Sequence, residues 1–575
     1  MAEYLSPGVY VEEFDSGVKA MEGVGTSTAG FIGMAEKGPV RGMPVLITGM
    51  ADYRRRFGGY LSEKVYGSNR FLPYAVEQFF ANGGSACYVM RVCKEQENGS
   101  DGGAATAEGR LGETNTFLTM KAANPGAWGN RMEALFKRTL KNRTKITAIT
   151  DNQKVAVENT ANYEIGDLVC IKDDNGAEAY NRVTGIAGNT VTLEWQSRVQ
   201  TATDKTMLQL VEWNVQIADA VSAEQYENVS FNAEKGNCIT AAAAKSQLVS
   251  IAADFSKLTE GLLEQISIKG EDTFLRVAFS GGNDGACAFS PDLYLGRDGA
   301  SDERTGLKAF EAVQDVNIMS IPGITDKAVQ SALVSHCENL KNRFAVLDMP
   351  LAYREVTELQ EFRENIDSTY AAMYHPWLCC YDSLEKKNAY LPPSGAIAGI
   401  YARTDTSRGV HKAPANEVIR NCTGISVNYN EAEQGKLNPK GINLIRSLPG
   451  MGIRVWGART CSGDGNWKYI NVRRLFIFLE ESIKANTSWA VFEPNDEMLW
   501  SRVEGTIRVF LTSQWRNGAL SGNSADEAFF INIGKSTMTQ DDILNGRLIC
   551  VIGVAPVRPA EFVIFRITQK METAQ

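Results

Sequence analysis

The hydrophobic positions of the chain change period several times, and each change predicts an element. Residues 9–13, VYVEE, follow a Ser6-Pro7-Gly8 turn and are rich in β-formers, which predicts a short strand at the very start. Residues 16–30 are rich in Gly, Ser and Thr with little apolar content, and predict a flexible connector behind that strand. Helical spacing over 72–82, LPYAVEQFFAN, stops at Gly83-Gly84 ahead of a strand at 86–92. Strand-type alternation dominates 117–280, and within it 143–208 carries several strands with hairpin turns at Asn175-Gly176 and Gly188-Asn189. After the junction GGNDG at 281–285, a strand at 316–321, a helix at 326–342 and a strand at 344–347 predict a parallel crossover. In the last third Val472, Leu475, Phe476, Leu479 and Ile483 share one helix face. A second helix, capped near Asn495, carries Leu499, Val503, Ile507, Phe510 and Leu511. Both helices need a sheet to cover, and 529–533, 548–554 and 561–568 supply candidate strands.

This order of elements predicts an α/β and α+β multidomain chain: a C-terminal α/β core, an inserted β-rich region and extended terminal strand arms. The expected divisions are 1–30 (arm and linker), 31–112 (α/β), 113–280 (β-rich, with a module at about 143–208), 281–400 (α/β core), 401–560 (C-terminal domain) and 561–575 (C-terminal arm). A length of 575 residues allows several cores of that size.

Composition narrows the function classes. Hydrophobic residues at 44% and charged residues at 22% are ordinary for globular proteins, and 59 Lys+Arg against 68 Asp+Glu leave a net charge of −9. That balance argues against direct contact with nucleic acid or anionic lipid. The longest apolar run, 548–557, is about half a membrane span and contains Pro556, and MAEYLSPGVYVEEFD lacks a basic stretch followed by an apolar core, so neither membrane insertion nor a secretory signal is expected. Eleven cysteines without a C-x-x-C pair, and three histidines without ligand spacing, predict neither a disulfide scaffold nor a metal centre. Phosphate loops, dinucleotide fingerprints, nucleophile elbows and zincin motifs are absent, and no cofactor is expected. One enzyme alternative stays open, an α/β enzyme using His411 beside Lys412 in RGVHK. The cation runs Arg54-Arg55-Arg56 and Lys137, Arg138, Lys141, Arg143, Lys145 lack the interleaved aromatics of a base-stacking platform.

The chain ends carry the sharper signal. EFVIFRIT at 561–568 is strongly β-prone, and Pro556 and Pro559 bar a tight hairpin with the strand before it. The first strand hangs on its connector. A lone strand must pair its backbone somewhere, and the residues alone favour both ends closing a sheet within their own subunit.

Several strings resemble the tail sheath proteins of contractile bacteriophage tails and related contractile injection systems. They are YLSPGVYVEE and GVGTSTAGFIGMAEKGP near the start, NPGAWGN at 124–130, GGNDG, SRGVHKAPAN at 407–416, RVWGART at 454–460, YINVRRLFIFLEESI at 469–483, FEPND at 492–496 and the terminal VAPVRPAEFVIFRI. Each is weak alone, but in this order they are specific. The module at about 143–208 falls outside the minimal family pattern. The resemblance implies a non-enzymatic subunit that stacks with copies of itself around an inner tube, meets baseplate and tail-terminator proteins, and forms part of a virion tail or injection particle assembled in the bacterial cytoplasm. It also reverses the reading of the ends, implying arms that complete sheets in neighbouring subunits. Carried over residue by residue, the donors are Val9, Tyr10 and Val11 at one end and Phe562, Ile564 and Phe565 at the other. The receiving strands are those of Phe530, Ile531 and Ile533 and of Ile549 and Val551. Arg502, Arg508, Asp541 and Asp542 are candidates for the tube contact.

Overall fold

The computed structural model describes residues 21–95, 102–112, 116–267 and 273–564. Its centre is an eight-stranded sheet in the order Val45–Ile47, Cys87–Arg91, Ala29–Gly33, Ile318–Ser320, Phe344–Asp348, Ala371–His375, Ile442–Leu448, Gly452–Val455. The six inner strands run parallel, and the two outermost are antiparallel to their neighbours. The predicted crossover is present, with the helix Lys327–Leu340 capped by Asp326 between two parallel strands. Successive side chains feed opposite faces, as the pleat requires. Phe31, Val89, Phe344, Val346 and Tyr374 pack with Phe79, Ile397 and Tyr401 on one side; Ile32, Met90, Ala345, Leu347 and Met373 pack with Leu333, Cys337 and Leu359 on the other. The sheet therefore joins strands from three stretches, 31–112, 281–400 and 401–560, that sequence divides. No local pattern can reveal pairing across more than 200 intervening residues.

Those intervening residues build the β-rich insertion. The long strands Glu133–Asp151 and Met207–Ala218 pair with each other and, through Lys154–Val157, Leu168–Lys172, Glu178–Ala187 and Thr190–Leu193, close a six-stranded antiparallel barrel that contains residues 143–208. Val155, Val169, Ile171, Val183, Val191 and Leu208 fill it, and closure leaves these strands without an open edge. The turn around Asn175-Gly176 is longer than a two-residue hairpin. The Asp173 carboxylate accepts from the backbone N–H of Asn175 and of Ala177, which stabilises the wider loop. Cations of the basic run are matched within the barrel: Arg138 with Glu178 at 2.6 Å, Lys145 with Asp204 at 2.7 Å, and Lys141 with Glu212 at 3.8 Å.

Open α/β sheets bind ligands outside the carboxyl ends of their strands. Here the neck of the insertion covers the ends of Ala29–Gly33 and Cys87–Arg91. The two motifs NPGAWGN and GGNDG interlock there: Asn130 donates to the Gly282 carbonyl and accepts from its N–H, both at 2.8 Å, and Asp284 accepts from the Ala127 N–H at 2.8 Å. Lys37 pairs with Asp219, Glu36 with Arg131, and the buried Arg91 donates to the Pro125 carbonyl. Farther along the same edge, Asp348 accepts from the backbone N–H of Gly323 and of Ser394 and from the Ser394 hydroxyl at 2.6 Å.

Buried titratable groups in this core set a pH dependence. Burial, with the Arg343 guanidinium 3.2 Å away, pushes His336 down to about 3, and burial pushes His375, whose ring meets the Tyr429 hydroxyl, down to about 4. The unfolded chain binds these protons near pH 6.5 and the folded chain only near 3–4, so their stabilising effect is complete above pH 6.5 and drains away as pH falls. Asp348 acts in the opposite sense: burial pushes it up to about 6, so its contribution is full below pH 3.8 and is lost as pH rises through 6. Two groups outweigh one. Denaturant midpoints are expected to fall between pH 7 and pH 4.5, and His375→Gln should flatten that slope; an unchanged slope would contradict the assignment.

Candidate assembly interface

The last third folds into a separate layer. Helices Ile470–Thr487 and Glu497–Arg516 pack together through Leu475, Leu479, Leu499, Val503, Ile507, Phe510 and Leu511, and against them lies a two-stranded sheet of Phe529–Ile533 and Cys550–Val554. The second helix is capped by Asp496, whose carboxylate accepts from the Leu499 N–H, rather than by Asn495. Asn495 is occupied elsewhere, accepting from the Trp500 indole and donating to the Arg547 carbonyl.

The two strands pair antiparallel, Phe529 opposite Val554 through Ile533 opposite Cys550; Ile549 immediately precedes its strand. Among the described residues this sheet has only two strands, so each has one edge without a described partner. Phe529 and Ile531 are buried on the helices, whereas Phe530 is 52% and Val551 45% exposed. The Phe530 ring lies over Gly553, where an added Cβ would sit 2.2 Å from it, so the outward face carries Phe530 and Val551 with the exposed Asn532 between them, opposite Val551. A two-stranded ribbon is marginal by itself, and an apolar one with two free edges invites another strand.

Of the donors, Phe562 and Ile564 are 73% and 79% exposed and belong to no strand among the described residues. Val9, Tyr10, Val11 and Phe565 lie outside the described residues. The segments that lead to the two predicted arms, however, are in view. Residues 21–28 are not the loose connector their composition predicts. They run antiparallel along the helix Ile470–Thr487. Asn486 donates to the Glu22 carbonyl at 2.8 Å, the Val24 N–H donates to the Ser482 hydroxyl at 3.1 Å, and Gly23 lies so close to Phe478 that an added Cβ would be 2.7 Å from its ring. Arg474 donates to the Thr26 carbonyl at 2.9 Å and holds Asp405 with both terminal nitrogens, at 2.9 and 2.6 Å, while the Thr26 hydroxyl donates to the same carboxylate at 2.7 Å. The Asp405 and Arg474 side chains are both 3% exposed.

At the other end Glu561 sits in a socket of donors. Arg459 grips it with two nitrogens at 2.8 and 2.7 Å, Asn438 donates at 2.6 Å and the Tyr469 hydroxyl at 3.0 Å. These bonds hold its carboxyl below the usual range against the opposing effect of burial. Composition gives no hint of either root, but the sequence holds a signal: Arg474, Ser482 and Asn486 recur at helical spacing on a helix whose other face is core, and Arg474 and Ser482 are buried polar groups that need partners.

The four candidate tube-contact residues already have partners. Arg502 stacks on Trp489, Arg508 pairs with Glu504 at 2.8 Å, and Asp541 and Asp542 hold Arg547 at 3.0 and 2.8 Å. Hydrogen bonds from Thr539 and Arg547 push Asp542 down to about 2. The enzyme candidates are engaged too: Lys412 donates to the Ala415 carbonyl and to Glu417, and burial and the Arg408 charge lower His411. Among the described residues no group of three or more His, Cys, Asp and Glu could hold a metal ion, and no helix is long and apolar enough to cross a membrane.

Comparison with known proteins gives this arrangement a family. The phage tail sheath protein central domain matches residues 297–461, and the phage tail sheath C-terminal domain matches 462–570. The tail sheath protein of Escherichia phage P2 is 29% identical over 34% of this chain and 52% of its own length, so the match spans about half of that relative. A major tail sheath protein assigned to a prophage of Pseudomonas aeruginosa (strain UCBPP-PA14) is 26% identical over 48% of this chain and 71% of its own. The fold is similar to that of the PVC sheath of an extracellular contractile injection system in its contracted state, with a TM-score of 0.53 and 22% identity over the whole of both chains. The central and C-terminal domains of phage tail sheath proteins thus lie end to end over residues 297–570, and this part of the chain belongs to the phage tail sheath family.

Proposed function

We propose that the chain is a structural subunit that polymerises around an inner tube by exchanging strands with its neighbours, and that the polymer contracts to drive the tube through a target envelope. The observation that carries this reading is the two-stranded sheet that exposes Phe530 and Val551 and has, among the described residues, two free edges, in a chain that leaves the Glu561 socket with Phe562, Val563 and Ile564 exposed. In this reading Val9, Tyr10 and Val11 of one copy and Phe562, Ile564 and Phe565 of another flank Phe530, Ile531, Ile533, Ile549 and Val551 of a third. About five main-chain bonds at roughly 0.5–1.5 kcal/mol net each contribute on the order of 3–7 kcal/mol per arm, and a mesh of such contacts multiplies their effect.

Contraction then needs no bound nucleotide: an extended lattice relaxes into one with larger contacts while the strands stay joined. The chain acts as a scaffold rather than an enzyme, with residues 1–30 and 561–575 as arms and the β-rich 113–280 as a peripheral domain. Arg502, Arg508, Asp541 and Asp542 face the tube, and baseplate and terminator proteins close the two ends of the polymer. Assembly takes place in the bacterial cytoplasm. Negative-stain microscopy of the purified chain tests the class: hollow cylinders are expected, whereas discrete particles with measurable turnover would favour the enzyme built on His411.

A further inference from the structure

We propose that the start of the helix Ile470–Thr487, with Arg459 beside it, is a shared anchor of both arms, so that tension entering through one end of the chain passes to the other through this corner without opening the central sheet. The proposal rests on the strand-exchange reading for its purpose but not for its geometry. Thr26 is bound to Arg474 and, through Asp405, to the same guanidinium. Three residues earlier on the helix, Asn471 donates to the Val557 carbonyl at 3.2 Å, on the segment leading to the C-terminal arm. Tyr469, the residue that starts the helix, donates to Glu561, and Arg459, whose backbone bridges to Tyr469, completes the socket. Residues 469–474 thus meet both roots, while Arg459 and Asn438, outside the helix, complete the hold on Glu561, and Arg459 is itself bonded to Asn443 of the strand Ile442–Leu448.

The attachments are graded. Glu22 exchanges two exposed, uncharged hydrogen bonds with the Asn486 amide, at 3.4 and 2.8 Å, and the Val24 N–H donates one to the Ser482 hydroxyl. Thr26 is held by one hydrogen bond to each member of the buried Arg474–Asp405 ion pair, and Glu561 by four donor groups counting Lys468 at 3.8 Å. Uncharged hydrogen bonds yield before charge-assisted ones. Under tension residues 21–25 peel first, releasing about 17 Å of extended chain at ~3.4 Å per residue, and the peeling stops at Thr26.

The test is to pull the full-length, unassembled chain between its two termini in optical tweezers. The wild type is expected to give a small early extension from the strap and then to hold until a root ruptures, with the central sheet still folded. Thr26→Val, which loses the hydroxyl bond to Asp405, and Glu561→Gln, which loses the charge on Arg459, should each rupture at least several-fold faster at fixed force. Thr26→Ser should behave as wild type, a rescue that general destabilisation would not give. Wild-type rupture rates in both variants, or a first rupture whose length gain corresponds to opening of the central sheet, would overturn the proposal. Because the molecule is pulled alone, the outcome does not depend on whether arms are exchanged in the polymer. Failure of the strand-exchange reading would instead appear as normal polymerisation without residues 1–13.

Discussion

Removing residues 1–13 is expected to leave a folded monomer that forms no ordered polymer. The deleted segment precedes residues 21–28, so the contacts described for Thr26, Asp405, Arg474 and the central sheet are kept. What is lost is one donated strand per subunit, on the order of 3–7 kcal/mol. Every 1.4 kcal/mol is a tenfold change in a contact's equilibrium constant, so each junction weakens by about two to five orders of magnitude, and the loss is repeated at every subunit. Size-exclusion chromatography should find a monomer with an unchanged melting temperature at concentrations where the intact chain forms cylinders. Full-length cylinders from the truncated chain would refute the role of the N-terminal arm.

The second large effect is expected at the receiving sheet. Phe530→Asp or Val551→Asp should abolish polymerisation while shifting the melting temperature by only a few degrees. Both side chains are about half exposed in the isolated chain, so a carboxylate there is solvated and costs the monomer little. An arriving strand would cover it, and burying an unpaired charge costs several kcal/mol, enough to cancel one arm's pairing. The same substitution at Ile531, which faces the helices, should unfold the C-terminal layer instead. Polymerisation at wild-type concentration by both surface variants would mean that these edges receive nothing.

How far the sequence reaches depends on whether the deciding contact is local. The core face of Ile470–Thr487 is legible because Val472, Leu475 and Leu479 repeat at the helical period and are buried. The crossover Ile318–Ser320, Lys327–Leu340, Phe344–Asp348 is legible because β-branched and amphipathic runs succeed one another at short range. The strands Phe529–Ile533 and Cys550–Val554 fall where apolar runs predict them. The cap at Asp496 is missed by one residue because Asn495 is as good a capping residue until Trp500 and Arg547 claim its side chain.

Other features lie beyond any local pattern. Composition makes residues 21–28 a flexible connector, but their order comes from Asn486, Ser482 and Arg474, more than 440 positions away. Closure of the barrel depends on pairing Glu133–Asp151 with Met207–Ala218 across four intervening strands, which alternation cannot specify. The strings NPGAWGN and GGNDG are legible as motifs without their purpose. Only the fold reveals that Asn130 and Gly282 meet at the neck of the insertion. The socket of Glu561 needs Arg459, Asn438 and Tyr469 brought together from three separate segments.

The most direct measurement is an atomic cryo-EM map of the assembled polymer, traced through the connections at residues 14–20 and at Glu561. The account predicts that Phe529–Ile533 and Cys550–Val554 of each subunit lie between two additional strands, residues 9–13 and 562–567, each contributed by a different copy. A map in which those segments turn back to complete the sheet of their own subunit would contradict it.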